Sequence, residues 1–174
     1  MKISIVTPCY NSIKTIRQTF DSILLQSFVD YEYIVVDGAS TDGTIELIKE
    51  YELKFKGRMR WISEPDNGIY EAIQKGFAMA SGDILAWIGS DDVYMPNAFK
   101  HVYDIFERYP QVQWLTGETL YILDDGTLCE ACHGKNWKYQ DFCMKKGIYY
   151  LPAMSDEPVE NVILEKGRYA GVIG

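Results

Sequence analysis

Along the first 116 positions, short runs rich in β-branched and aromatic residues alternate with longer stretches whose apolar residues fall three and four apart. Ile3–Thr7 reads as a strand that Pro8 stops, because proline has no N–H for the ladder. Ile13, Ile16, Phe20, Ile23 and Leu24 share one helical face, which predicts a helix over 13–28 with Ser12 as its N-cap. Tyr31–Val36 is a second strand, and the loop 38–43 leads into a helix over 44–53 with Ile45 and Ile48 on its buried side. The alternation repeats with a strand at Arg58–Ser63, a helix at Ile69–Ala80, a strand at Ile84–Ile88 and a helix at Asn97–Tyr109. Strands joined by helices cross over to run parallel, so the expected class is α/β: a mostly parallel sheet with helices on both faces.

The pattern changes beyond Val112. Val112–Thr116 and Thr119–Leu123 are expected to be neighbouring strands, followed by a turn at Asp124-Asp125-Gly126. Residues 129–174 are first aromatic and basic, with Trp137, Lys138, Tyr139, Lys145 and Lys146, and then lose periodicity. The chain therefore divides into a core over 1–125 and an irregular segment over 126–174.

Composition narrows the function. With 174 residues, 47% of them hydrophobic, the chain can bury a core of its own. Its 25 acidic against 17 basic residues give a net charge of −8, which argues against nucleic acid as a partner and means that an anionic ligand needs local help such as a metal ion. No run approaches the roughly 18 apolar residues that span a bilayer, and the apolar start is too short for a signal peptide, so a chain that is soluble or only peripherally attached to a membrane is expected. Cys129-Glu130-Ala131-Cys132-His133 has the form of a c-type haem attachment motif, but neither export nor a small haem domain is suggested. Zinc would need His101 or Cys143 as a further ligand; reduced structural thiols are the preferred reading.

Polar residues collect where the strands end: Thr7-Pro8-Cys9-Tyr10-Asn11, Asp37-Gly38, Glu64-Pro65-Asp66-Asn67-Gly68 and Ser90-Asp91-Asp92. Any one cluster could be a turn or a cap, but four successive ones fall on the edge where parallel sheets bind ligands. Asp91 and Asp92 repel one another unless a cation relieves them, and oxygen ligands favour Mg²⁺ or Mn²⁺ bound jointly with substrate phosphates. If the backbone is still extended there, the two carboxylates point to opposite sides and do different jobs. Tyr10 could lie against a planar base and Asp37 could accept its hydrogen bonds. Neither G-x-G-x-x-G, a P-loop nor G-x-S-x-G is present.

These four clusters, with Ala39-Ser40-Thr41-Asp42-Gly43-Thr44 after the second, Ile69-Tyr70 after the third and Ser81-Gly82-Asp83 before the fourth, resemble in order and spacing the motifs of glycosyltransferase family 2. The resemblance covers roughly residues 1–125. It implies a GT-A fold (Rossmann-like), a nucleotide diphosphate sugar donor, UDP-sugar foremost, and inverting, metal-assisted transfer to a saccharide or lipid-linked acceptor. By position it makes Asp92 the metal ligand, places Thr7, Pro8 and Tyr10 at the nucleobase, Asp37 at the nucleoside, Asp66 beside the base or sugar, and Asp91 at ribose or donor sugar. Two departures stand out: Gly38 occupies a position that is a second Asp in many members, and Ile73-Gln74-Lys75-Gly76 lacks a common Arg-Asn pair. The Asp-Gly-Ala-Ser form resembles a polysaccharide-assembly subgroup working at the inner face of the membrane.

The acceptor hydroxyl also needs a base. Glu130, Asp141, Asp156, Glu157 and Glu160 are candidates, and the resemblance of Tyr150–Glu157 to the base-bearing segment of relatives favours Glu157. The tail after Glu157 stops short of the family pattern, so a truncated acceptor side is expected. The alternative functions are a non-catalytic nucleotide-sugar-binding remnant and a metal-dependent nucleotidyltransferase.

Overall fold

In this computed structural model the described residues are 1–117, 120–122, 128–130, 149–151 and 169–171. The backbone divides into two compact units, Met1–Asp104 and Ile105–Gly174.

The first unit is built on four parallel strands in the order β3-β2-β1-β4. They are β1 (Ile3–Cys9), β2 (Tyr31–Asp37), β3 (Met59–Ser63) and β4 (Ile84–Trp87). Ile3 pairs with Tyr31 on one side and Ile84 on the other, and Cys9 pairs with Asp37. The crossovers are α1 (Ile16–Leu24), α2 (Thr44–Phe55) and α3 (Ile69–Met79), and α4 (Ala98–Arg108) follows β4. The chain leaves β1 towards β2 and β3, then returns across it to β4, so the strand order reverses between β1 and β4 and a crevice opens beyond their carboxyl ends.

Every residue of β1 and β2 is buried, the near-continuous apolar signature of central parallel strands. One sheet face receives α1 and α2 through a cluster of rings, with Phe20 4.9 Å from Tyr51 and 5.9 Å from Tyr33. On the other face Val6, Ile34 and Val36 pack with Ala72 of α3. A Cβ on Gly76 would lie 2.3 Å from Val6 Cγ1, so this glycine sets how closely α3 approaches β1.

Three expectations need correction. β1 runs through Pro8 to Cys9, because Val6 and Pro8 turn their backbone polar groups towards β4, and β4 ends at Trp87 with only Ile88 N–H still reaching the Val6 carbonyl (2.9 Å). At Pro8 no β4 carbonyl is left to require an N–H. α1 begins at Ile16 rather than Ile13, with Thr15 at the N-cap; the Ser12 carbonyl accepts the N–H groups of Thr15 and Ile16 while its hydroxyl turns elsewhere. α2 buries Leu47, Ile48, Tyr51 and Phe55, leaving Ile45 half-buried.

In the second unit β5 (Trp114–Gly117) pairs in parallel with both β8 (Tyr149–Leu151) and β9 (Tyr169–Gly171). β6 (Leu120–Ile122) and β7 (Leu128–Glu130) form a separate antiparallel pair. The expected pairing of the strands around Val112–Thr116 and Thr119–Leu123 is therefore replaced. β5 has β8 on one edge and β9 on the other, so no edge of it is left for β6. The Asp124-Asp125-Gly126 turn lies outside the described residues.

Candidate active site

The loops after the strands of the first unit are laced together by hydrogen bonds between residues far apart in the chain. Asn11, in left-handed backbone (φ 50), donates its N–H to Ser40 Oγ (2.7 Å), and its side-chain carbonyl accepts from Thr41 N–H (2.9 Å). Ser12 N–H donates to Thr44 Oγ1 (2.9 Å) and Ile13 N–H to Asp42 Oδ2 (3.0 Å). Partial desolvation pushes the Asp42 carboxyl up, but the bonds it accepts from Thr44 and Ile13 outweigh this and hold it below its usual range. The hydroxyls of Ser12 and Ser90, 2.8 Å apart, join the loops after β1 and β4.

Asp37 is the buried knot of this lacework. Its carboxylate, fully shielded from solvent, accepts from Ser40 N–H (2.9 Å), the Ser40 hydroxyl, the Ser63 hydroxyl (2.7 Å) and the Cys9 thiol (3.6 Å). Burial, with the Asp37 charge adding to it, pushes the Cys9 thiol up, so that sulfur is a hydrogen-bond donor rather than a nucleophile. Thr7 and Pro8 are likewise buried within β1. These three expected site residues thus lie beneath the rim, and Asp37 holds it through Ser40 and Ser63.

On the rim itself Tyr10 is 65% exposed. A Cβ on Gly38 would lie 3.1 Å from Asp66 Oδ2 and 3.4 Å from Tyr10 Cδ2, so the bare glycine backbone floors a slot between an aromatic ring and a carboxylate. Asp66 is held by accepting Gly68 N–H at Oδ1 (2.8 Å). Its loop is pinned by Glu71, which accepts from Asn67 (2.6 Å), and by Lys75, which reaches Glu64 and Glu71 at 2.9 Å each.

The Gly89-Ser90-Asp91-Asp92 segment is a turn, with Asp92 N–H directed at the Gly89 carbonyl (3.4 Å). The chain is therefore not extended there, and the two carboxylates converge instead of pointing apart: Asp91 Oδ1 and Asp92 Oδ2 each lie 2.8 Å from the point a Gly89 Cβ would occupy. Burial first, and the Asp91 charge second, raise the Asp92 carboxyl against a hydrogen bond from the Gly89 backbone. Two mutually repelling carboxylates at an open turn, Asp92 partly buried and Asp91 exposed, fit a divalent cation taking oxygen ligands. Among the described residues no group of three or more His, Cys, Asp or Glu side chains is placed to hold a metal, so substrate oxygens or water would complete the shell. Asp91 also lines a cleft of about 590 Å³, with Asn11, Ile13, Lys14, Thr41 and Asp42 among others.

Glu157, with Glu130, Asp141, Asp156 and Glu160, and the Cys129-x-x-Cys132-His133 motif have side chains outside the described residues. Sequence reasoning missed Gly89, whose bareness permits the convergence, and the Ser12 to Ser90 contact. A glycine directly before Ser-Asp-Asp was the available signal for the first; nothing local signals the second.

The model of the family described as glycosyl transferase family 2 matches residues 4–127. TuaG of Bacillus subtilis, a glycosyltransferase named for teichuronic acid biosynthesis, is 29% identical over 147 residues, 84% of this chain and 58% of its own. S. aureus TarS, solved with UDP-GlcNAc, superposes with a TM-score of 0.61 at 25% identity, over 67% of this chain and 35% of that one. The mannosyltransferase PcManGT of Pyrobaculum calidifontis, solved with GDP-Man and Mn²⁺, shares the fold with a TM-score of 0.60 at 22% identity, over 66% of this chain and 34% of its own. The chain spans between 15% and 58% of the length of the curated relatives it matches.

Proposed function

The chain belongs to glycosyl transferase family 2, and from that premise we propose that it transfers a sugar from a nucleotide diphosphate donor, a UDP-sugar foremost, to a hydroxyl of a saccharide or lipid-linked acceptor, with inversion and with the help of Mn²⁺ or Mg²⁺. The observation that carries this reading is the convergence of Asp91 and Asp92 at the carboxyl edge of a parallel sheet. TarS binds UDP-GlcNAc, and PcManGT, of the same fold, binds GDP-Man with Mn²⁺, which supports a nucleotide-sugar donor and a divalent ion.

Asp92, with Asp91 beside it, would hold the cation, which when bound neutralises charge on the departing diphosphate. Tyr10 offers a face for the base, and Asp66 Oδ2, across Gly38, offers an acceptor for a base N–H; one such oxygen suits the single ring N–H of uracil. Thr7, Pro8 and Asp37 serve from below: the Asp37 carboxylate keeps the Gly38–Asp42 loop in place through Ser40, and β1 presents Tyr10. Glu157 is the proposed base that takes the proton of the attacking acceptor hydroxyl on the face opposite the leaving diphosphate. The same proposal places the chain at the cytoplasmic face of a membrane, in polysaccharide assembly; among the described residues no helix is long and apolar enough to cross one.

Calorimetric titration of the chain with UDP and GDP, with and without Mn²⁺, tests the donor site. Metal-dependent binding that disappears in Asp92→Ala is expected; absence of binding to either nucleotide under every metal condition overturns the reading. Donor-sugar turnover lost in Glu157→Gln with nucleotide affinity kept separates an enzyme from a protein that only binds.

A further inference from the structure

We infer that Thr19, on α1, is a positioning residue for the Asp91 and Asp92 pair, an inference that rests on the metal-assisted reading above. Residues 92–95 have no regular structure, so their backbone polar groups need partners from elsewhere. α1 and the residues just after it supply them. The Thr19 hydroxyl donates to the Asp92 carbonyl (2.7 Å), the Ser22 hydroxyl accepts from Tyr94 N–H (3.1 Å), and the Gln26 side chain donates to the Met95 carbonyl (3.0 Å) while accepting from Phe99 N–H (3.2 Å). Thr19 and Ser22, three apart, share one face of α1, and Gln26 follows just past the helix end at Leu24, so each meets the next stretch of the segment.

Thr19, on the inner side of α1, and Gln26, just beyond its end, are buried at 0% and 6% exposure. Polar groups there are costly unless bonded, and their partners are the backbone that follows the carboxylate pair. The first rung falls on Asp92 itself. Two carboxylates aimed at one point repel, and the turn that aims them is closed by a long 3.4 Å bond from Asp92 N–H to Gly89. The Thr19 bond, at the carbonyl of the same residue, is the shorter restraint against opening. Groups hydrogen-bonded to a metal ligand's own side chain typically change metal affinity about 10-fold to 100-fold when removed, and Thr19, acting through the Asp92 backbone, belongs at the lower end of that range.

The test uses Thr19→Val, which keeps the shape and removes the hydroxyl, and Thr19→Ser, which restores it. UDP titrated into the chain with and without Mn²⁺ reads the gain in affinity that the metal confers. Thr19→Val is expected to cut that gain about tenfold, to leave metal-free UDP affinity within about twofold of the parent, and to be rescued by Thr19→Ser. Should Thr19→Val fail to fold, Ser22→Ala, which removes the rung to Tyr94, is expected to lower the same gain; an unchanged gain there overturns the inference. A full metal-dependent gain in Thr19→Val also overturns it, as does an equal loss with and without metal. If the parent chain binds UDP with no dependence on Mn²⁺, the metal-assisted reading itself fails and takes this inference with it.

Discussion

The hydroxyl oxygens of Ser12 and Ser90 lie 2.8 Å apart, although 78 positions separate them in the chain. Ser12 Oγ is also 3.3 Å from the Tyr10 carbonyl, so when Ser12 donates there, Ser90 is the donor to Ser12. This contact bridges the loops after β1 and β4, where the strand order reverses. It fixes the aromatic-bearing loop against the carboxylate-bearing one. Ser12→Ala and Ser90→Ala are each expected to destabilise the fold, and in a double-mutant cycle the pair is expected to couple by about 0.5–1.5 kcal/mol. Urea unfolding of the four proteins measures it. Strict additivity would show that the two loops are held by their other bonds alone.

The carboxylate convergence leads to a second expectation, at Gly89. Its backbone lies outside the left-handed region, so alanine is tolerated conformationally, but the new Cβ would sit 2.8 Å from both Asp91 Oδ1 and Asp92 Oδ2. Both are ends of movable side chains, so the fold survives and the carboxylates turn away. Gly89→Ala is expected to lower Mn²⁺-dependent UDP affinity at least about tenfold while changing unfolding free energy by less than about 1 kcal/mol. Equal metal dependence in parent and variant would mean that the convergence does not serve a cation.

Gly76 has the opposite character. Here a Cβ would meet Val6 Cγ1 at 2.3 Å and Cγ2 at 2.9 Å, on a β-branched side chain held in the central strand. The gain in helix propensity from alanine, about 1 kcal/mol, is therefore outweighed by displacement of α3 from the sheet. Gly76→Ala should destabilise by about 1–3 kcal/mol, and Val6→Ala in the same chain should recover part of it. A stabilised Gly76→Ala in chemical denaturation would contradict the packing.

These contrasts show what the sequence could and could not convey. The strands and helices of the first unit were legible because burial on both sheet faces makes β1 and β2 mostly apolar runs and leaves the helices a single stripe. Pro8 misled because its lack of an N–H counts only if a neighbour is there to accept, and the end of β4 is set by another part of the chain. The four polar strand ends were legible as a rim, yet whether a side chain stands on it or beneath it was not. Asp37 turns inwards because Ser40 and Ser63 meet it there, and Ser63 arrives from the next strand. Thr19, Ser22 and Gln26 read as ordinary helical polar residues until the segment they hold is placed against them.

Glu32, at the opposite end of the sheet from the site, carries the last expectation. Burial alone would raise its pKa, but bonds from the Ser4 hydroxyl (2.6 Å), the Ser81 N–H (2.6 Å) and hydroxyl (3.0 Å), and the Lys2 ammonium prevail and hold it at about 2. Arg60 adds a contact at 2.8 Å. Lys2 and Arg60 are substantially exposed, so most of the effect belongs to Ser4 and Ser81, which tie β1 and the turn before β4 to β2. A carboxyl whose pKa is depressed on folding stabilises the native state above its unfolded value, near 4.5, and loses that contribution as pH falls towards 2. Glu32→Gln is thus expected to cost about 1–3 kcal/mol at pH 7, and the difference from the parent should shrink steadily below about pH 4.5. Urea midpoints of both proteins between pH 7 and 3 decide it: a gap that stays constant across that range would assign the loss to altered packing and not to the charge.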